Sequence, residues 1–89
     1  MQTQRITEKD IDGGRVRIPQ ATKVMFPQEA TTLNLVVRGQ NLTCKWNPRV
    51  GPDKERSGVL LVGKALLEAL VQPDEILEVS STGPGLVLN

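Results

Sequence analysis

Arginine, lysine and asparagine gather in two stretches of this chain. The first is Ile6-Thr7-Glu8-Lys9-Asp10-Ile11-Asp12-Gly13-Gly14-Arg15-Val16-Arg17-Ile18-Pro19; the second is Cys44-Lys45-Trp46-Asn47-Pro48-Arg49, continued by Lys54 and Arg56. These forked donors, amides and ammonium groups suit nucleic-acid edges and phosphates, which makes their chemistry recognition rather than turnover. Catalytic equipment is missing. With no histidine and one cysteine, histidine acid–base chemistry, a Cys/His zinc site and a disulfide framework are excluded.

Strands must present these side chains. In the first stretch Val16 and Ile18 alternate with Arg15 and Arg17, so two apolar residues face a core while both arginines share the opposite surface. In the second, Leu42, Cys44 and Trp46 alternate with Thr43 and Lys45, and Pro48 stops further pairing. Cys44 then reads as a small buried apolar group. Trp46, the sole tryptophan, reads from the same alternation as a core residue rather than a stacking platform.

The remaining pattern predicts a strand over Gln4–Thr7, a loop over Glu8–Gly14 whose paired glycines permit left-handed backbone, and a strand over Arg15–Ile18. A short helix is expected over Pro19–Met25, closed by Phe26-Pro27. Thr31–Val37 and Leu42–Trp46 form a hairpin through Arg38-Gly39-Gln40-Asn41. Pro48–Ser57 reads as a charged loop, Gly58–Val62 as a buried strand and Gly63–Val71 as a second helix, stopped by Gln72-Pro73. Strands over Ile76–Val79 and Leu86–Leu88, joined by Thr82-Gly83-Pro84-Gly85, complete the chain. Residues 1–89 make a single domain, since 89 residues supply only a marginal core and no linker or repeat interrupts them. Seven short strands and two small helices favour a mainly β, seven-stranded open pseudobarrel with a helix at each end. An open α+β sandwich is the other arrangement compatible with that order.

Net charge is only +1, but its distribution is uneven. Residues 1–64 hold all 11 Lys and Arg, whereas residues 65–89 hold four acids (Glu68, Asp74, Glu75, Glu78) and no base. One face is thereby expected to meet an anion. No long apolar run and no charged-then-apolar leader is present, so a soluble, cytoplasmic protein without a membrane partner is expected.

Thr7-Glu8-Lys9-Asp10-Ile11 through Arg15-Val16-Arg17-Ile18-Pro19-Gln20, with Phe26-Pro27 after it, resembles the opening signature of the B-three DNA-binding domain family. That family includes plant transcription-factor domains and recognition domains of bacterial restriction endonucleases. Trp46-Asn47 matches a tryptophan–asparagine pair of the plant members. Gly63-Lys64-Ala65-Leu66-Leu67-Glu68-Ala69-Leu70 is similar to the family's second helix, and Pro73-Asp74-Glu75-Ile76 to the turn that follows it. These four pieces cover roughly residues 5 to 80, in the family's order.

The resemblance implies that two arms, Thr7–Arg17 and Trp46–Arg56, enter the DNA major groove, with Thr7, Lys9, Asp10, Asp12, Arg15, Arg17, Trp46, Asn47, Arg49, Lys54 and Arg56 as the contacting set. Within it, Arg15, Arg17 and Arg49 suit guanine O6 and N7, and Asn47 suits adenine N6 and N7, while Lys9, Lys54 and Arg56 suit phosphates. Asp10 and Asp12 admit two roles: bonding loop amides or orienting the arginines, or accepting from cytosine N4. The first loop is one residue shorter than in the plant members and carries Gly13-Gly14, and Pro48–Ser57 is long and charged, which points to a bacterial member. The function implied is sequence-specific double-stranded DNA binding as the recognition or effector domain of a bacterial restriction endonuclease. Such a domain is non-catalytic, needs no cofactor or metal, is monomeric when isolated, and leaves cleavage to a separate nuclease domain of the parent protein. A small bacterial regulator of the swapped-hairpin barrel type, an obligate dimer, is one alternative; a protein-interaction adaptor with solvated basic loops is another.

Other strings lack their context. Gly58-Val59-Leu60-Leu61-Val62-Gly63-Lys64-Ala65 has P-loop spacing, but Ala65 replaces the magnesium-binding hydroxyl and the intervening residues are a strand. Asn41-Leu42-Thr43 is a glycosylation triplet set in a hairpin turn. Asp10-Ile11-Asp12-Gly13 begins a calcium loop without its later ligands.

Overall fold

The alternation of Thr31–Val37 and its neighbour builds the centre of the molecule. In the computed structural model, which describes residues 1–49, 56–82 and 85–89, β2 (Thr31–Val37) and β3 (Gln40–Asn47) pair antiparallel in full register from Thr31↔Trp46 to Val37↔Gln40. Only Arg38 and Gly39 lie between them, both with positive φ (48° and 85°), the backbone that matches a two-residue hairpin to strand twist. Arg38 tolerates this conformation while its guanidinium is tied to the Glu75 carboxylate and to the Leu70 carbonyl at 3.0 Å.

The other elements are α1 (Glu8–Asp12), β1 (Arg15–Ile18), a 3-10 turn (Thr22–Met25), β4 (Gly58–Leu61), α2 (Lys64–Leu70), β5 (Val79–Thr82) and β6 (Gly85–Leu88). The six strands form one sheet, curled as a half-barrel in the order β1-β4-β3-β2-β6-β5, antiparallel throughout except for β2 with β6. The fold is mainly β with two short helices. Among the described residues no helix is long and apolar enough to cross a membrane.

Several boundaries differ from expectation, each for a local reason. Gln4–Thr7 is not a ladder strand: Thr7 is the N-cap of α1, so the chain must turn there. The segment before it is extended and bonded on both flanks, the Gln4 amide donating to the Arg17 carbonyl (3.0 Å) and the Thr3 and Ile6 amides to Leu77 and Glu75 (2.9 and 2.8 Å). Glu8–Asp12, expected as loop, is helical because Thr7 and Asp10 close a capping box. Pro19–Met25 shortens to the 3-10 turn, whose first bonds run back to the Pro19 carbonyl. Ile76–Leu77–Glu78 contributes one isolated bridge, and the strand proper begins at Val79. Gly83 and Pro84, placed in the last turn, lie outside the described residues.

Inward residues of β1, β3 and β4 make the core beneath the basic face. Val16, Ile18, Cys44, Trp46 and Leu60 are all buried. Trp46 stacks on Phe26 with ring centroids 4.5 Å apart and donates its indole N–H to the Pro27 carbonyl at 2.8 Å. Gly58 sits against that ring so closely that a Cβ there would lie 2.1 Å from Trp46 Cη2.

Candidate nucleic-acid interface

β1 and β3 are not neighbours in the sheet; β4 lies between them and sets their registers. Arg15 is opposite Leu61 and Leu61 opposite Lys45; Arg17 is opposite Val59 and Val59 opposite Asn47. Directly opposed residues share a face, and Val16, Leu60 and Trp46 occupy the inner one. The outer face therefore carries two rows, Arg15·Leu61·Lys45 and Arg17·Val59·Asn47. Two strand spacings put the outer members of a row about 10 Å apart, and two residues along a strand separate the rows by about 6.7 Å. A major groove is about 12 Å wide. Two base-pair steps span roughly 6.8 Å.

Asp10 organises the first of the two arms. Its side chain is almost wholly buried, with 3% exposure. Oδ1 accepts from Arg15 Nε at 3.1 Å; Oδ2 accepts from Arg17 Nε at 3.1 Å and from the Thr7 amide at 3.0 Å. Arg17 Nη2 also lies 3.1 Å from Oδ2 and donates to the Arg5 carbonyl at 3.2 Å. Burial pushes this carboxyl up, but the Thr7 amide and the two guanidinium groups outweigh it and hold the pKa below its ordinary value. Asp10 is thus ionised at neutral pH, fixing both arginines through Nε. Arg15 Nη1 and Nη2 make no hydrogen bond among the described residues.

The paired glycines explain how these groups fit together. At Gly13 a Cβ would stand 2.7 Å from Arg15 Nη1, so a side chain there would push the free end of that guanidinium aside. Gly14, at φ +67°, would place a Cβ 2.8 Å from the Lys64 amide nitrogen, and its carbonyl accepts from the Val62 and Gly63 amides at 2.8 and 2.9 Å. This contact docks the start of α2 against the end of α1.

The second arm is described up to Arg49 and again from Arg56. Asn47 Oδ1 accepts from the Arg49 amide at 2.9 Å, an Asx turn that bends the chain away from β3 and suits the positive φ of Arg49 (54°). The Arg56 carbonyl accepts from Lys23 Nζ at 2.8 Å, and Ser57 Oγ is hydrogen-bonded to the Gln4 side chain. Lys54 lies outside the described residues.

The structure separates the sequence-derived set by location. Arg15, Arg17 and Asn47 share the outer face, Arg49 follows Asn47, and Lys9 is exposed on α1. Asp12 is an exposed carboxylate 3.8 Å from Lys64 Nζ. Thr7 and Asp10 act inside the protein as cap and orienting group. Trp46 is corrected out of the contact set: it is 1% exposed and its one polar hydrogen is already bonded, so it offers a ligand nothing. Lys45 is exposed on the outer face, and so is Leu61 at 49%, although Gly58–Val62 reads as a buried strand. Alternation alone marks Lys45 as outward; its placement opposite Leu61 depends on a pairing between elements distant in sequence.

No group of three or more acidic, cysteine or histidine side chains placed to hold a metal occurs among the described residues. No known protein family and no characterised protein matches the chain.

Proposed function

We propose that this chain is a sequence-specific double-stranded DNA-binding domain that presents the outer face of β1, β4 and β3 to the major groove. The observation that carries this is the Asp10 clamp: a buried carboxylate holds two neighbouring arginines by Nε, which leaves the terminal edge of Arg15 to engage two acceptors at once. Preorganisation of this kind removes part of the entropy cost of ordering long side chains on binding. A purely solvated charge has no need of such a support.

The spacing of the rows supports the same reading, since their separation across and along the strands is close to the groove width and to two base-pair steps. In this reading the fold is an open pseudobarrel whose seventh member is the extended segment before Thr7, bonded to β1 on one side and to the stretch entering β5 on the other. The B-three resemblance supplies the biological context: a monomeric recognition or effector domain of a bacterial restriction endonuclease, without chemistry of its own, with cleavage in another domain of the parent.

Titration on duplex DNA at 50 and 200 mM salt tests the proposal. If Lys9, Lys45, Lys54 and Arg56 neutralise phosphates, the slope of log affinity against log salt is about −3.6, a loss of roughly two orders of magnitude over that range. A salt-independent interaction, or none, points to the protein-interaction adaptor.

A further inference from the structure

Leu61 stands at the centre of the proposed interface, not at its margin. It lies between Arg15 and Lys45 in one row, and Val59 lies between Arg17 and Asn47 in the next. The outward positions of β4 are thus apolar while those of both flanking strands bear hydrogen-bonding or charged groups. Leu61 is 49% exposed in that setting. Its inward neighbour Leu60 is fully buried, so the core does not require an apolar side chain on the other face. The other large apolar residues exposed among the described ones, Met1, Val24 and Ile76, lie outside β1, β3 and β4.

Within the major groove, the apolar feature a base pair presents beside its donors and acceptors is the 5-methyl group of a pyrimidine. We propose that Leu61, supported by Val59, is a specificity-determining residue that reads a pyrimidine 5-methyl group, flanked on one side by Arg15 donating to base acceptors and on the other by Lys45 donating to a phosphate. This inference rests on the DNA-binding reading and adds the chemical class of base that the centre of the face selects. Thymine and 5-methylcytosine share this chemistry, and the polar residues of the rows then decide between their different hydrogen-bonding edges.

The test uses the whole chain and the duplex it enriches from a random library. Each thymine in turn is replaced by deoxyuridine, which removes the methyl and keeps the hydrogen-bonding edge, and each cytosine by 5-methylcytosine. Burial of one methyl predicts about a fourfold change in affinity at one position: a loss on removing a thymine methyl if thymine is the natural base, a gain on methylation if cytosine is. Leu61→Ala should abolish that response at that position while leaving preference elsewhere in the site, with Leu61→Gln as a second variant and the melting temperature of both as the check on folding. Sequence-specific binding indifferent to every methyl overturns the inference and leaves the DNA reading standing; the wild-type arm alone decides this. An equal methyl response in folded Leu61 variants also overturns it. Failure to enrich any duplex overturns both readings together.

Discussion

Replacing Asp10 by asparagine removes one charge and one acceptor while keeping the shape of the side chain. The wild-type carboxylate receives the Thr7 amide and three guanidinium contacts at 3.0–3.1 Å. Hydrogen bonds to charged groups contribute about 1.5–3 kcal/mol each, and breaking a fully buried ion pair costs about 3–5 kcal/mol. Arg15 and Arg17 are 39% and 32% exposed, so water resolvates part of what they lose, and the expected cost falls to about 2–3 kcal/mol. For a chain of 89 residues that lowers Tm by roughly 10–20 °C. Thermal unfolding of Asp10→Asn measures it directly. A double-mutant cycle sharpens the test, because in an Arg15→Ala/Arg17→Ala background the same substitution relieves an uncompensated buried charge and should cost much less, giving a coupling above about 1 kcal/mol. A Tm within about 2 °C of wild type, or equal costs in both backgrounds, would refute the clamp. Base preference is the second readout: Asp10→Asn should relax selectivity at the pair read by Arg15, since the guanidinium is no longer held by Nε.

Three further outcomes follow from particular contacts. Gly58→Ala should destabilise by about 3 kcal/mol or more, because the added carbon meets an indole already held by Phe26 and Pro27; Gly39→Asn, where a Cβ meets nothing within 4 Å, should change stability by less than about 1 kcal/mol, and urea midpoints compare the two. The lowered pKa of Asp10 makes its contribution fully present above the ordinary aspartate range near pH ~4 and lost as pH falls through the folded-state value, so urea midpoints measured from pH 7 to 3 should stay level at first and then drop, with a shallower drop in Asp10→Asn. In binding assays Arg49→Ala and Asn47→Ala should relax base preference while Lys54→Ala weakens all sequences about equally; identical behaviour of all three would contradict the division between base readers and phosphate anchors.

Local pattern made much of this fold legible. Alternation placed Val16 and Ile18 inward and Arg15 and Arg17 outward, and the β-branched run with Arg38-Gly39 located the hairpin, because both signals are properties of consecutive residues. The helix α1 was less visible: Thr7 and Asp10 have the spacing of a capping box, but the expected Glu or Gln is replaced by a shorter Asp, and the paired glycines argued for loop. Leu61 was misread because Val-Leu-Leu-Val shows no alternation in its own sequence; what makes one side of β4 solvent-exposed is its position between β1 and β3. The rows of the candidate interface belong to the same class. Arg17 and Asn47 are thirty residues apart in sequence, and only the order β1-β4-β3 brings them onto one face. Of the two roles open for Asp10, tertiary structure favours the orienting one, since its carboxylate is 3% exposed and bonded to the Thr7 amide and to both arginines.

Selection from a random duplex library at about 150 mM salt, followed by sequencing of what the chain retains, tests the central claim most directly. The account predicts an enriched motif of a few base pairs, with preference at the position facing Arg15 diminished when Asp10→Asn is used in the same selection. Retention without enrichment would contradict sequence-specific recognition and leave only a phosphate-binding surface, and no retention would contradict DNA binding altogether.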